Sequence, residues 1–107
     1  MEEFDYHFPS ARAEAGRAAA PAVLCGVVGS GNLEVLMERA AGDAQDCHIT
    51  VQTAARGFGA IWQAVLESFS TQHAVGGTRV RIHDMGATPA VVTLRLRQAL
   101  SQYNGGR

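Results

Sequence analysis

At Gly57 the hydrophobic period of this chain changes, and no other feature restricts its fold so tightly. Before that point apolar and polar residues alternate; after it, Phe58, Ile61, Trp62, Val65, Leu66 and Phe69 recur at spacings of three and four. A period of two sends side chains to opposite faces of a strand, whereas a period near 3.6 draws one apolar stripe along a helix. Alternation returns in TRVRIHD, residues 78–84, with Val80 and Ile82 inward and Arg79, Arg81 and His83 outward. A second stripe follows, made of Val92, Leu96, Ala99, Leu100 and Tyr103, behind Thr88 and Pro89, which suit an N-cap and a first helical residue.

Upstream of the change, Phe4, Tyr6 and Phe8 alternate with Glu3, Asp5 and His7 until Pro9 stops a short strand. AVLCGVV (22–28) and LEVLME (33–38) flank GSGN (29–32), the signature of a β-hairpin. CHITVQT (47–53) is expected as the third strand of the same antiparallel meander, with Cys47, Ile49, Val51 and Thr53 on its inner face. SARAEAGRAAAP has no large apolar residue, so residues 9–21 are expected to form a mobile loop or linker, and 104–107 a frayed tail. The expected architecture is one α+β domain over residues 1–107. It is a two-layer sandwich: a mainly antiparallel sheet of four to five strands carries two helices on one face and leaves the other polar and open. The helix before TRVRIHD makes a crossover long enough for that last strand to run parallel to its neighbour and to be right-handed.

A chain of 107 residues with 47% apolar content supports a single core. Nine basic and ten acidic residues supply no positive field, which disfavours nucleic acid and anionic membranes as partners. Cys25 and Cys47 match neither a disulfide framework nor a metal pattern and are expected as buried free thiols. His48 and His83 stand singly on strand faces, without a second ligand at metal spacing, so no metal site is expected. Trp62 falls on the apolar stripe of the first helix and belongs to the core. The acidic start and short apolar runs predict a cytoplasmic chain without a secretory or membrane-spanning segment.

Within VVGSGNLEV, residues 27–35, Ser30 lies between Gly29 and Gly31 at the expected hairpin tip. Turn chemistry alone accounts for such a serine. A nucleophile elbow would need glycines at positions 28 and 32, where Val28 and Asn32 stand, and no acid and histidine pair is placed beside the tip. No catalytic residue is therefore assigned. A phosphate-binding loop would open a helix, whereas GSG lies between two strands. The remaining reading is covalent modification, because a hydroxyl flanked by glycines on an exposed tip can enter another enzyme's site.

VVGSGNLEVLME resembles the modification site of the acyl-carrier (δ) subunits of bacterial malonate decarboxylases. GFGAIWQAVLESF (57–69) and IHDMGATPAVVTLRLRQAL (82–100) resemble that family's two later segments, so the likeness runs from about Val23 to Leu100. The family often has Asp where this chain has Asn32; both suit a turn. The resemblance implies a non-catalytic carrier in which Ser30 holds a phosphoribosyl-dephospho-coenzyme A group (phosphoribosyl-dephospho-CoA) through a phosphodiester, with Gly29 and Gly31 giving access. It further implies acyltransferase and decarboxylase subunits as partners, and a prosthetic-group transferase during maturation. On the same basis Asp84, Gly86, Ala87 and Thr88 either cap the last helix or offer N–H groups to a phosphate of the arm. Arg79, Arg81 and His83 face solvent, a partner or those phosphates. The citrate lyase γ-type carrier is the alternative within this chemistry; outside it stands a regulatory module that binds a small ligand or partner through the open sheet face.

Overall fold

Alternation builds five strands, β1 (Glu2–Phe8), β2 (Ala22–Gly26), β3 (Leu33–Arg39), β4 (Cys47–Thr53) and β5 (Thr78–Asp84). The two stripes build α1 (Gly59–Gln72) and α2 (Pro89–Tyr103). The computed structural model describes residues 1–13, 22–41 and 45–105. The strands form one mixed sheet in the order β1-β4-β5-β3-β2, with β4 and β5 parallel and the other three pairings antiparallel. α2 packs across β3 and β2, while α1 meets β1 and α2. Inward residues of the strands, among them Leu33, Val35, Met37, Ile49, Val51, Val80 and Ile82, share one buried cluster with Leu66 of α1 and Leu96 of α2. This is the expected α+β sandwich, and all five α2 stripe residues are buried.

Strand order departs from the expected meander. β4 does not pair with β3, because β5 lies between them. The crossover through α1 returns the chain alongside β4, where β5 pairs in parallel and still offers its other edge to β3. Its inward residues Thr78, Val80, Ile82 and Asp84 are all buried, as suits a strand at the centre of the sheet. A pattern of alternation reports which face a residue takes, and says nothing about which strand becomes the neighbour.

β2 also ends two residues earlier than the apolar run suggests. Gly26 has φ +85°, and a Cβ built there would lie 2.1 Å from the carbonyl oxygen of Leu33. The chain turns at that close approach, so Val27 and Val28 leave the ladder and stand 59% and 52% exposed. The α1 stripe is narrower than expected at its start, since Phe58 and Ile61 are about half exposed (46% and 45%) while Trp62, Leu66 and Phe69 are buried. Within the 9–21 stretch, Ser10 is bonded to the end of α1: its Oγ donates to the Ser70 and His73 carbonyls and accepts from Val75 N–H. Ala11 and Ala13 exchange backbone bonds with Gly76. Residues 14–21 and 106–107 lie outside the described residues. Asn104, the first residue of the expected tail, continues α2 with its N–H donating to Leu100.

Register brings several ends to one place. Leu33 opposes Asp84 across β3 and β5, and Thr53 opposes Asp84 across β4 and β5. The β2–β3 hairpin tip, the carboxyl ends of the parallel pair and the starts of both helices therefore share one end of the sheet. Replacing Gly26 by Ala should remove roughly 1–3 kcal/mol of stability, through backbone strain and the blocked approach to Leu33. Urea unfolding of the variant beside wild type measures this.

Candidate functional site

Residues 27–32 connect β2 to β3, and their tip is a tight turn closed by Asn32 N–H donating to the Gly29 carbonyl at 2.9 Å. Gly31 takes φ +71°, the left-handed conformation that a type II turn requires at its third residue. Ser30 is the residue before it, and it is exposed. Among the described residues its hydroxyl has no hydrogen-bond partner, and no histidine or carboxylate is bonded to it. A Cβ at Gly29 would touch only Val27 Cγ2, at 3.8 Å, and one at Gly31 would meet nothing within 4 Å. Space around the serine is open on both sides.

The tip is nevertheless held firmly. Gly31 N–H donates to the Met85 carbonyl at 2.8 Å, and Met85 N–H donates to the Asn32 carbonyl at 2.9 Å, clipping the turn to the loop that follows β5. Asn32 adds a third tie, since its Oδ1 accepts from Leu33 N–H at 2.8 Å and from Arg95 Nε of α2 at 3.3 Å. An aspartate at position 32 would supply the same acceptor with a charge for Arg95.

Asp84 organises the loop behind the clip. It is 2% exposed, and its carboxylate accepts from the Thr53 hydroxyl (2.8 Å), Gly86 N–H (3.1 Å) and Ala87 N–H (2.9 Å). The Gly86 and Ala87 N–H groups are thus committed within the chain and are not free for a phosphate. Capping holds instead: Thr88 Oγ1 accepts from Val91 N–H, with Pro89 at the first helical turn. Periodicity alone did not single out Asp84 as a core residue, because a carboxylate at an inward strand position is expected to stay wet.

The outward row on β5 is bonded across the open sheet face. Arg79 donates to His48 Nδ1, and His48 Nε2 is bonded to the Asp5 carboxylate. His83 donates to Gln52, which donates to Glu3 at 3.0 Å, and Arg81 lies 3.6 Å from Glu38. Asp5, His7 and His48 each bring a ligand-type atom within 4.8 Å of the others. This cluster was invisible in the sequence because Asp5 and His48 are 43 positions apart and meet only through the β1–β4 register. His7 is itself bonded to Asp46, and the Arg79 guanidinium lies against His48, so these side chains form a hydrogen-bonded network on the open face. Cys25 and Cys47 are buried free thiols. Burial pushes Cys47 up to about 11, despite its hydrogen bond with Thr78.

With this geometry in view, a family model described as Malonate decarboxylase delta subunit (MdcD) matches residues 21–103. The chain belongs to the malonate decarboxylase delta-subunit family. Within it, the chain is 58% identical over 102 residues to the malonate decarboxylase acyl carrier protein of Burkholderia cepacia, covering 95% of this chain and 90% of that one. The protein of the same name from Acinetobacter calcoaceticus is 54% identical over 83 residues, covering 78% and 80% of the two chains. A chain in the crystal structure of a Pseudomonas malonate decarboxylase hetero-tetramer in complex with malonate superposes with a TM-score of 0.81 at 36% identity, over 96% of this chain and 99% of that one. Delta-subunit membership removes the citrate lyase γ-type alternative.

Two predictions concern the frame of the tip. Asp84→Ala should cost about 2–4 kcal/mol, since it strands the Thr53 hydroxyl and two loop N–H groups; Asn32→Leu should cost about 1 kcal/mol, and Asn32→Asp close to nothing. Denaturation of the three variants checks the order. At pH 8 the Cys47 thiol should remain protonated and react with a maleimide only at the rate of global opening, which urea titration of the labelling rate reads out.

Proposed function

We propose that this chain is the non-catalytic acyl-carrier subunit of a multisubunit malonate decarboxylase, and that Ser30 anchors a phosphoribosyl-dephospho-coenzyme A arm through a phosphodiester. The observation that carries this reading is an exposed, unengaged serine hydroxyl on a turn whose backbone is tied at Gly31 and Asn32. A hydroxyl offers the oxygen that a phosphodiester needs, and the space around Gly29 and Gly31 admits the enzyme that attaches the arm. Folding does not require glycine at position 29, where φ is not positive and a Cβ would fit. Access by a partner gives that glycine a purpose.

The chain's own residues set limits on what it does. With no general base bonded to Ser30 among the described residues, activation of the hydroxyl falls to the prosthetic-group transferase. When bound, the arm supplies a thiol on which acetyl or malonyl forms a thioester, whose carbonyl is a better electron sink than a free carboxylate. Acyltransferase and decarboxylase subunits then share one tethered group, at an effective concentration on the order of millimolar for a flexible link. A fixed anchor at a protruding tip lets a single arm serve both sites. We place this work in the cytoplasm, where a reducing environment suits two free thiols; no described helix is long and apolar enough to cross a membrane.

The test is the intact mass of the chain purified from cells that also express the maturation enzymes, with Ser30→Ala beside it. The expected result is an addition matching the phosphoribosyl-dephospho-coenzyme A group on the tip peptide of wild type and none on the variant. An unmodified wild-type mass under those conditions overturns the reading, as does turnover of malonate by the isolated chain. Gly29→Val should slow attachment at least tenfold, the effect of about 1.4 kcal/mol of steric obstruction to the transferase, while shifting the melting temperature little.

A further inference from the structure

An apolar cleft of about 280 Å³ opens between the starts of α1 and α2, and nothing in the carrier role described so far uses it. Phe58, Ile61, Trp62 and Val65 line one side, and Ala87 and Val92 the other. Its lining includes no lysine, arginine or histidine. Its one carboxylate, Asp84, is buried and committed to Thr53, Gly86 and Ala87. Phe58 and Ile61 keep nearly half of their surface exposed although they belong to the apolar stripe of α1. Large apolar groups left open around a concavity are the usual composition of a small-ligand site.

The occupant follows from what the cleft is joined to. Gly86, Ala87, Thr88 and Pro89 form part of its wall, and Met85, the residue before them, is clipped to Gly31 and Asn32 of the tip. A group tethered at Ser30 therefore starts beside the loop that builds the cleft. The larger crevices, of about 690 and 530 Å³, lie further along the helices and are lined by Arg97, Gln72 and His73, a polar setting at greater remove from the tip. Resting on the carrier reading, we infer that the cleft receives the acetyl-thioester end of the Ser30 arm between visits to the partner subunits. An acetyl group with its adjoining methylenes is small and uncharged, and suits a lining without basic side chains. A malonyl group would bring a carboxylate for which that lining provides no cationic side chain. The chain thus shelters the resting acyl form from water and stray nucleophiles.

Trp62, the chain's sole tryptophan, lines the cleft and is a built-in probe. The experiment uses the full chain, modified in cells, acetylated on the arm and checked by intact mass. Trp62 emission should differ between the acetylated and unmodified forms. Hydroxylamine should cleave the bound thioester at least about fourfold more slowly than acetyl-coenzyme A, as expected for a group sheltered three-quarters of the time. Ile61→Glu, at an exposed rim position, should abolish both effects; Leu94→Glu, at a similarly exposed position on α2 outside the cleft, should preserve them. Circular dichroism and melting curves of both variants confirm folding. A modified chain whose thioester reacts as fast as acetyl-coenzyme A, or whose protection survives Ile61→Glu, overturns the inference and leaves the carrier role intact. An unmodified Ser30 removes both.

Discussion

A single buried carboxylate holds the functional end of this molecule together. Asp84 stands at the end of the central strand, opposite Thr53 of β4 on one side and Leu33 of β3 on the other. By accepting from the Thr53 hydroxyl and from two N–H groups of its own loop, it fixes the path of residues 85–88. That path starts α2, forms a wall of the apolar cleft and provides the Met85 amide and carbonyl that clip the hairpin turn. A buried carboxylate is tolerated only when it is fully bonded, and its bonds here give one small loop three structural tasks.

The carrier role separates rigidity from motion. The turn that bears Ser30 is tied by backbone bonds and by Asn32 to Arg95, so the serine is held at a defined position. On the proposed attachment at Ser30, motion falls to the arm, whose reach would replace diffusion between two active sites. The described residues bring no acid or base to the serine, and the outward row of the sheet bonds its polar groups to one another. On the proposed reading, chemistry falls to partner subunits and the carrier supplies position, access and shelter.

Much of this was legible in the sequence, for reasons that differ from element to element. The change of period at Gly57, the Thr88 and Pro89 pair and the GSGN turn each reflect local backbone and side-chain preferences, so α1, α2 and the hairpin could be read directly. Which strand lies beside which is a long-range property, and the insertion of β5 between β3 and β4 left no local trace. For the same reason Asp5, His7 and His48 came together unannounced. Gly26 shortened β2 through a contact with Leu33 that alternation cannot encode. Ser30 stood out only as an oddity of the turn, and it was the family resemblance, rather than periodicity, that proposed it as a modification site.

The most direct test of the account is a proton–phosphorus correlation spectrum of the modified, folded chain. A phosphodiester on Ser30 predicts a cross peak between a phosphorus resonance and the Ser30 β protons, with the amide signals of Gly31, Asn32 and Met85 keeping the pattern of a hydrogen-bonded turn. A phosphorus correlation to any other residue, or phosphorus signals without a correlation to the protein, would contradict it.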